Sequence, residues 1–428
     1  MHSTVLAGNR NDQSVFLSET HEAGLLKTAL FTCELREDLG FAAPLLCIAD
    51  ELVRLATKDG IQLRTVFALS DPVYCGHEVA SHGHVVLPAP LARRPLEINS
   101  LGKSYANLLA AIGFGHEREL RLIVDTWDRL FAVLSPAVVV TDNSPVACLA
   151  ARGRIPLFVT GSGFRAPPAD IIAFPPIANA VESETNQILI RDVVNRILQS
   201  RGLRRIGNLP ELFAGDGRAV FTVPQLDPYA ACRNERLLEP CLNIKGPLAQ
   251  VETPSVFVAL PSTFSHLARI VRALERVGAT ISCYVPGPRS VGLTLLNEIG
   301  AHIFEARPLL NDVLSNAAVV LAASADVALS AYLAGRPQVL FRSDLETSIM
   351  ASELEKRHAA IALEVTDAEK VTDAIRELMH NPSYDQSARE EARRVQAILA
   401  SANPATLAAT GCLELIKSHC SPSLAKNH

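Results

Sequence analysis

One acid in this chain stands where the local pattern promises chemistry. The run PAVVVTD (136–142) has the make-up of a buried strand and ends in a carboxylate, Asp142, and ACLAARG (147–153) then reads as a short helix closed by glycine. In open parallel sheets ligands sit outside the carboxyl ends of the strands, so Asp142 is a candidate to touch substrate. The structural alternative, of equal standing, is that Asp142 or Asn143 caps the helix that follows. His77, His82 and His84 form an H-x4-H-x-H series. No acidic ligand pattern or catalytic glutamate signature accompanies them, so the expectation is no metal site. No GxGxxG follows the first strand of either half, which argues against a dinucleotide dehydrogenase, and GxxxxGK[ST] is absent. GSGF (161–164) has its serine in the wrong place for a nucleophile elbow, which argues against covalent hydrolase chemistry.

The elements that must position these groups alternate between short apolar runs and amphipathic stretches, the signature of strand and helix repeats around a parallel sheet. Strands are expected at 28–35, 62–69, 84–90, 136–142, 156–161 and 219–223, with helices over 45–56, 103–112, 117–134, 147–153 and 182–200. A proline-bearing stretch of weak periodicity, 240–254, separates this series from a second one. There, strands are expected at 256–262, 279–287, 301–306, 317–323 and 337–343, and terminal helices at 367–380, 384–400 and 403–418.

A length of 428 residues exceeds one ordinary core and favours two domains. With 48% hydrophobic and 20% charged residues there is ample apolar surface to bury. A net charge of −5 and scattered Lys and Arg give no pull toward nucleic acid. The cysteines at 33, 47, 75, 148, 232, 241, 283, 412 and 420 lack CxxC pairs and suit a reducing compartment, so a cytoplasmic location is expected. The first 27 residues lack the pattern of a signal peptide, and no run of about 20 apolar residues predicts a membrane span.

Several motifs occur in a telling order. CELREDLGFAAPLL (33–46), VVVTDNSPVACLAARGRIPLFVTGSGFRAPP (138–168) and VPQLDPYA (223–230) fall in the first half. YVPG (284–287), RPL (307–309), LAGRPQVL (333–340) and LETSIMASELEKRHAAIAL (345–363) fall in the second. Together they resemble bacterial GT-B glycosyltransferases, relatives of the macrolide, flavonoid and sterol glucosyltransferases, over nearly the whole chain after residue 28. The resemblance implies an α/β protein of two Rossmann-like domains whose parallel sheets face each other across a cleft. The expected division is a polar extension (1–27), an acceptor-binding domain (28–240), a linker (241–254), a nucleotide-sugar-binding domain (255–382) and C-terminal helices bracing the two (383–428).

The resemblance also assigns roles. Gly161, Gly163 and Phe164 would border the acceptor, and Asp142 would pair with or replace the general base. A helix starting near Ser324 would aim its amides at a diphosphate, assisted by hydroxyls of Ser262, Thr263 and Ser324. The backbone at Arg307, Pro308 and Leu309 would face the nucleotide base, Glu346 would hold sugar hydroxyls, and Thr347 stands where the family usually has Gln. Two departures matter. The histidine that serves as base is Phe41 here, which accepts no proton, and the HGGxG motif aligns with Ala322, Ala323, Ser324, Ala325 and Asp326. Glu37 or Asp38 is a substitute carboxylate base if burial raises its pKa, or simply a solvated loop acid; His116 is a further candidate. The implied function is inverting transfer of a sugar from a UDP- or TDP-linked donor, a co-substrate rather than a cofactor, to a hydroxyl of a small apolar acceptor. The alternatives are a catalytically silent relative that binds a ligand or partners an active enzyme, alone or as an oligomer, and a nucleotide-sugar epimerase.

Overall fold

The apolar runs become the strands of two parallel sheets. The computed structural model describes residues 26–35, 42–91, 104–176, 184–242, 244, 246–398 and 403–418. The first sheet contains β1 (Lys27–Cys33), β2 (Leu63–Leu69), β3 (Val85–Pro88), β4 (Val138–Asp142), β5 (Leu157–Gly161), β6 (Gly217–Phe221) and β7 (Leu237–Leu238), in the order β3-β2-β1-β4-β5-β6-β7. The second contains β8 (Ser255–Ala259), β9 (Thr280–Tyr284), β10 (His302–Ile303), β11 (Val319–Ala322), β12 (Gln338–Arg342) and β13 (Ala360–Glu364), in the order β10-β9-β8-β11-β12-β13.

Strands such as VVVTD are buried on both faces because helices cover both sides of each sheet, and successive residues serve opposite cores. Leu30, Val66 and Val139 enter one core of the first sheet, while Phe31, Phe67 and Val140 enter the other. Phe257, Val320 and Leu340 likewise oppose Val258, Leu321 and Val339 in the second. The helix Glu117–Leu134 shows how the covering layer is specified: Leu120, Ile123, Val124, Trp127 and Phe131 share one buried face, with Glu117 and Glu119 at the positive end of its dipole.

Strand order reverses between β1 and β4 in the first sheet and between β8 and β11 in the second. Cys33 pairs with Asp142, and Ala259 with Ala322, at the carboxyl ends of those strands. Both switch points open toward the same interdomain space, which is where α/β sheets take ligands. The domains interlock around it. Leu345 and Ile349 of the second domain pack on the first domain's core, and Val223 and Leu226 join the second domain's core. The helix Pro382–Gln396 stays with the second domain through Glu391, which accepts from Tyr332 (2.9 Å), while Pro404–Ser418 crosses back onto the first, where Cys412 and Ile416 are buried. No described helix is long and apolar enough to cross a membrane.

Three elements depart from the sequence expectation. β13 follows the left-handed His358 (φ 55°) in a stretch with neither Gly nor Pro, so nothing in AIALE marks the end of the preceding helix. β7 has two residues, too few for any periodicity. Between the strands expected at 62–69 and 84–90, where no element was expected, lies the helix Pro72–Ser81, started by Asp71 accepting from the Val73 amide (2.8 Å).

Candidate functional site

Between the carboxyl ends of the two sheets lies an open cleft of about 700 Å³, walled mainly by apolar atoms. Asp142, Gly161, Ser162 and Arg165 line it from the first domain, and Arg307, Pro308 and Asp326 from the second. At its floor a single guanidinium gathers three carboxylates. Arg165 is 1% exposed; its Nε donates to Glu346 Oε2 (3.0 Å), its Nη2 donates to Asp326 Oδ1 (2.9 Å), and its Nη1 lies 3.6 Å from Asp142 Oδ2. Ser162 Oγ donates to Glu346 Oε1 (2.5 Å) and accepts from the Arg165 amide (3.2 Å). A buried charge needs such partners, because removing one from a buried pair costs roughly 3–5 kcal/mol.

The chain brings these groups together through tight loops and helix starts. Gly161 ends β5 with φ 139°, and a Cβ there would stand 2.8 Å from Asp142 Oδ1 and 2.9 Å from Arg165 Cβ, so only glycine lets the loop turn against Asp142. Gly163 backs onto Asp227, whose carboxylate takes the Arg233 Nε (2.7 Å) while Arg233 also donates to the Gly163 carbonyl (2.7 Å). Asp326 and Glu346 each sit in the first turn of a helix, Ala325–Leu333 and Leu345–Lys356, so both helix N-termini converge on Arg165.

The other expected site residues scatter more. Asp142 is buried at the end of β4, and the amides of the next helix are capped elsewhere: Val146 and Ala147 donate to the two oxygens of Glu34 (2.8 and 2.7 Å). Asn143 is tied up by donating to the Leu35 carbonyl (2.9 Å) and accepting from Tyr105 (2.9 Å). Phe164 packs against Tyr105 and borders a smaller adjoining recess of about 360 Å³ with Ala325 and Glu346. Ser262 and Ser324 are buried at the carboxyl ends of β8 and β11, and neither hydroxyl has a hydrogen-bond partner among the described residues. Thr263 is exposed, Ala322 lies within the core, and Leu309 is 72% exposed beside the cleft-lining Arg307 and Pro308. The Thr347 hydroxyl is engaged in a capping box: its amide donates to Asp344 Oδ1 (2.8 Å), and its Oγ1 accepts from the Asp344 amide (3.0 Å). Glu37, Asp38 and Phe41 lie outside the described residues.

The histidines are placed by the same accounting. His82 Nδ1 and His84 Nε2 close on one carboxylate, that of Asp50 (2.8 and 3.0 Å), and His84 Nδ1 meets Thr65 Oγ1 (2.5 Å). Burial pulls the His84 imidazole below its ordinary pKa against the opposing pull of Asp50. His77 and His116 are exposed.

Two residues that sequence reasoning passed over are central. Arg165 lies within GSGFRAPP, and its signal in the sequence is a single charge in a run of small and apolar residues; once that run is buried, the charge must have a buried partner. Glu34 directly follows β1. Burial pushes its carboxyl up to about 8, although the two amides it accepts from act in the other direction. Arg307 adds a further bridge, its Nη1 standing 3.6 Å from Glu78 Oε2 on the helix Pro72–Ser81 of the facing domain.

The arrangement offers a carboxylate, a guanidinium and two helix N-termini around one apolar-walled space, the elements of proton acceptance and anion binding. No family model and no curated protein sequence matches the chain. Solved structures do. The glycosyltransferase VinC in complex with dTDP is similar with a TM-score of 0.58 at 16% identity, over 91% of this chain and 100% of that one. The calicheamicin glycosyltransferase CalG4 gives 0.61 at 18%, over 93% and 100%. The spinosyn rhamnosyltransferase SpnG with spinosyn aglycone gives 0.60 at 15%, over 90% and 99%. The chain thus has the two-domain GT-B fold of these glycosyltransferases.

Proposed function

We propose that this protein transfers a sugar from a UDP- or TDP-linked donor to a hydroxyl of a small apolar acceptor, with inversion at the anomeric carbon. The observation that carries the reading is the cleft, which sets Asp142 of the first sheet against Asp326, Arg307 and Pro308 of the second across one space. The acceptor oxygen attacks the anomeric carbon on the face opposite the diphosphate, the bond from that carbon to the phosphate oxygen breaks, and its electron pair leaves with the diphosphate. The acceptor proton passes to the Asp142 carboxylate. The buried hydroxyls of Ser262 and Ser324, which have no hydrogen-bond partner among the described residues, and the amides that open the helix Ala325–Leu333 are suited to an anionic leaving group. The apolar walls suit an acceptor of low polarity. The complexes of VinC with dTDP and of SpnG with thymidine diphosphate and aglycone support both the donor and the acceptor class.

The test is release of nucleoside diphosphate from a panel of UDP- and TDP-sugars mixed with apolar hydroxyl acceptors, followed by product chromatography. Turnover that disappears in Asp142→Asn is the expected result. If no donor in the panel is bound or consumed, the reading fails. Consumption without an added acceptor, yielding an isomerised donor, would replace it with epimerisation.

A further inference from the structure

The HGGxG motif of the resembled family has Ala322 in place of its histidine here and ends on an acid, Asp326, so this turn carries no imidazole and one carboxylate. An acid alone at a helix start would repel a diphosphate. The structure supplies the missing positive charge from the opposite domain. Arg165 reaches across to hold Asp326 at 2.9 Å and Glu346 at 3.0 Å, at the converging starts of two helices, and it also lines the open cleft. Two carboxylates on one guanidinium beside two helix N-termini present the pattern of anionic oxygens that a diphosphate would present. Glu346 is at the same time the acid expected to turn toward sugar hydroxyls. When it does so, a guanidinium that is 1% exposed loses one of its carboxylates and keeps Asp326 at 2.9 Å and Asp142 at 3.6 Å, and a phosphate oxygen can take the place of the one that left.

We infer that Arg165 is the cation that binds the donor diphosphate, and that Asp326 and Glu346 hold it in position while no nucleotide is bound. This rests on the glycosyl-transfer reading. In the donor complex the phosphate oxygens take over from Asp326 and Glu346 on the guanidinium, and Arg165 then offsets the charge that develops on the leaving diphosphate. The domain facing the donor therefore contributes a group to donor binding, so nucleotide binding and the interdomain contact draw on the same side chain.

The experiment measures calorimetric affinity for UDP and dTDP, without sugar, in the full chain and in Arg165→Gln and Asp326→Asn. Arg165→Gln should weaken both nucleotides by on the order of tenfold to a hundredfold, the worth of a charged hydrogen bond. Asp326→Asn should tighten them by about tenfold, because it removes a competing and repelling carboxylate while leaving Arg165 in place. A purely structural Arg165 predicts the reverse for Asp326→Asn: a weaker interdomain contact and unchanged or weaker nucleotide binding. Unchanged affinity in Arg165→Gln, or no tightening in Asp326→Asn, overturns the inference. If Arg165→Gln does not fold, Asp326→Asn decides alone. Failure of the unsubstituted chain to bind either nucleotide would instead sink the glycosyl-transfer reading itself.

Discussion

Replacing Glu34 with Gln should change how stability depends on pH. Glu34 is 3% exposed, and burial raises its carboxyl from 4.5 to about 8 in the folded chain. A carboxyl whose folded pKa lies above its unfolded value contributes stability below the unfolded value and loses it as pH rises through the folded one. At about 1.4 kcal/mol per unit, the wild-type protein should lose up to about 5 kcal/mol at this site between pH 4.5 and 8. Gln cannot ionise, so the variant escapes that loss. It gives up one acceptor for the Val146 or Ala147 amide, a pH-independent cost of about 1–3 kcal/mol. The wild type should therefore be the more stable below about pH 5, and the variant should overtake it between about pH 5 and 7 and be clearly the more stable at pH 8. Trp127, the sole tryptophan, is fully buried in the same domain and reports the transition by its fluorescence during urea unfolding at each pH. A stability difference that stays constant from pH 5 to 8 would show that the folded carboxyl is ionised throughout and would refute the reasoning.

Other substitutions test the site by different means. Gly161→Ala, forced into φ 139° with its Cβ against Asp142, should destabilise the first domain by about 1–3 kcal/mol in urea unfolding and abolish turnover. Asp142→Asn should lower kcat by roughly 100- to 10,000-fold while UDP and dTDP affinities stay within a factor of a few, since the base acts on the acceptor; a large loss of nucleotide affinity would count against that role. Thr347→Ala breaks the capping box of Leu345–Lys356 and should cost about 1 kcal/mol in thermal melts. Because Arg165, Arg307 and helix amides supply the positive charge around the cleft, turnover should persist in EDTA, and its disappearance would point to a missing cation.

Much of this fold is written locally. A strand buried on both faces must be an unbroken apolar run, and TALFTCEL, PAVVVTD and AAVVLAA each produced one at the expected place within a residue or two. The same logic put Asp142 at the carboxyl end of a strand next to a switch point, because a strand's end can be read from its own residues. Two such series joined by one irregular stretch indicated two parallel-sheet domains, and the GT-B arrangement came from the resemblance carried by the order of the motifs.

What the strands could not say is which distant side chains would meet. Arg165 pairs with Glu346 across 181 positions and with Asp326 across 161, and no periodicity links residues so far apart. The cap of the helix after β4 comes from Glu34, more than a hundred residues upstream, rather than from Asp142 or Asn143 beside it. Only tertiary packing decided that Arg307 reaches Glu78. Hydrophobic periodicity is a property of neighbours in the chain, and it determined the elements and their sheets. The electrostatics of the cleft depend on which charges end up buried together, and that was settled only when the two domains closed on one guanidinium.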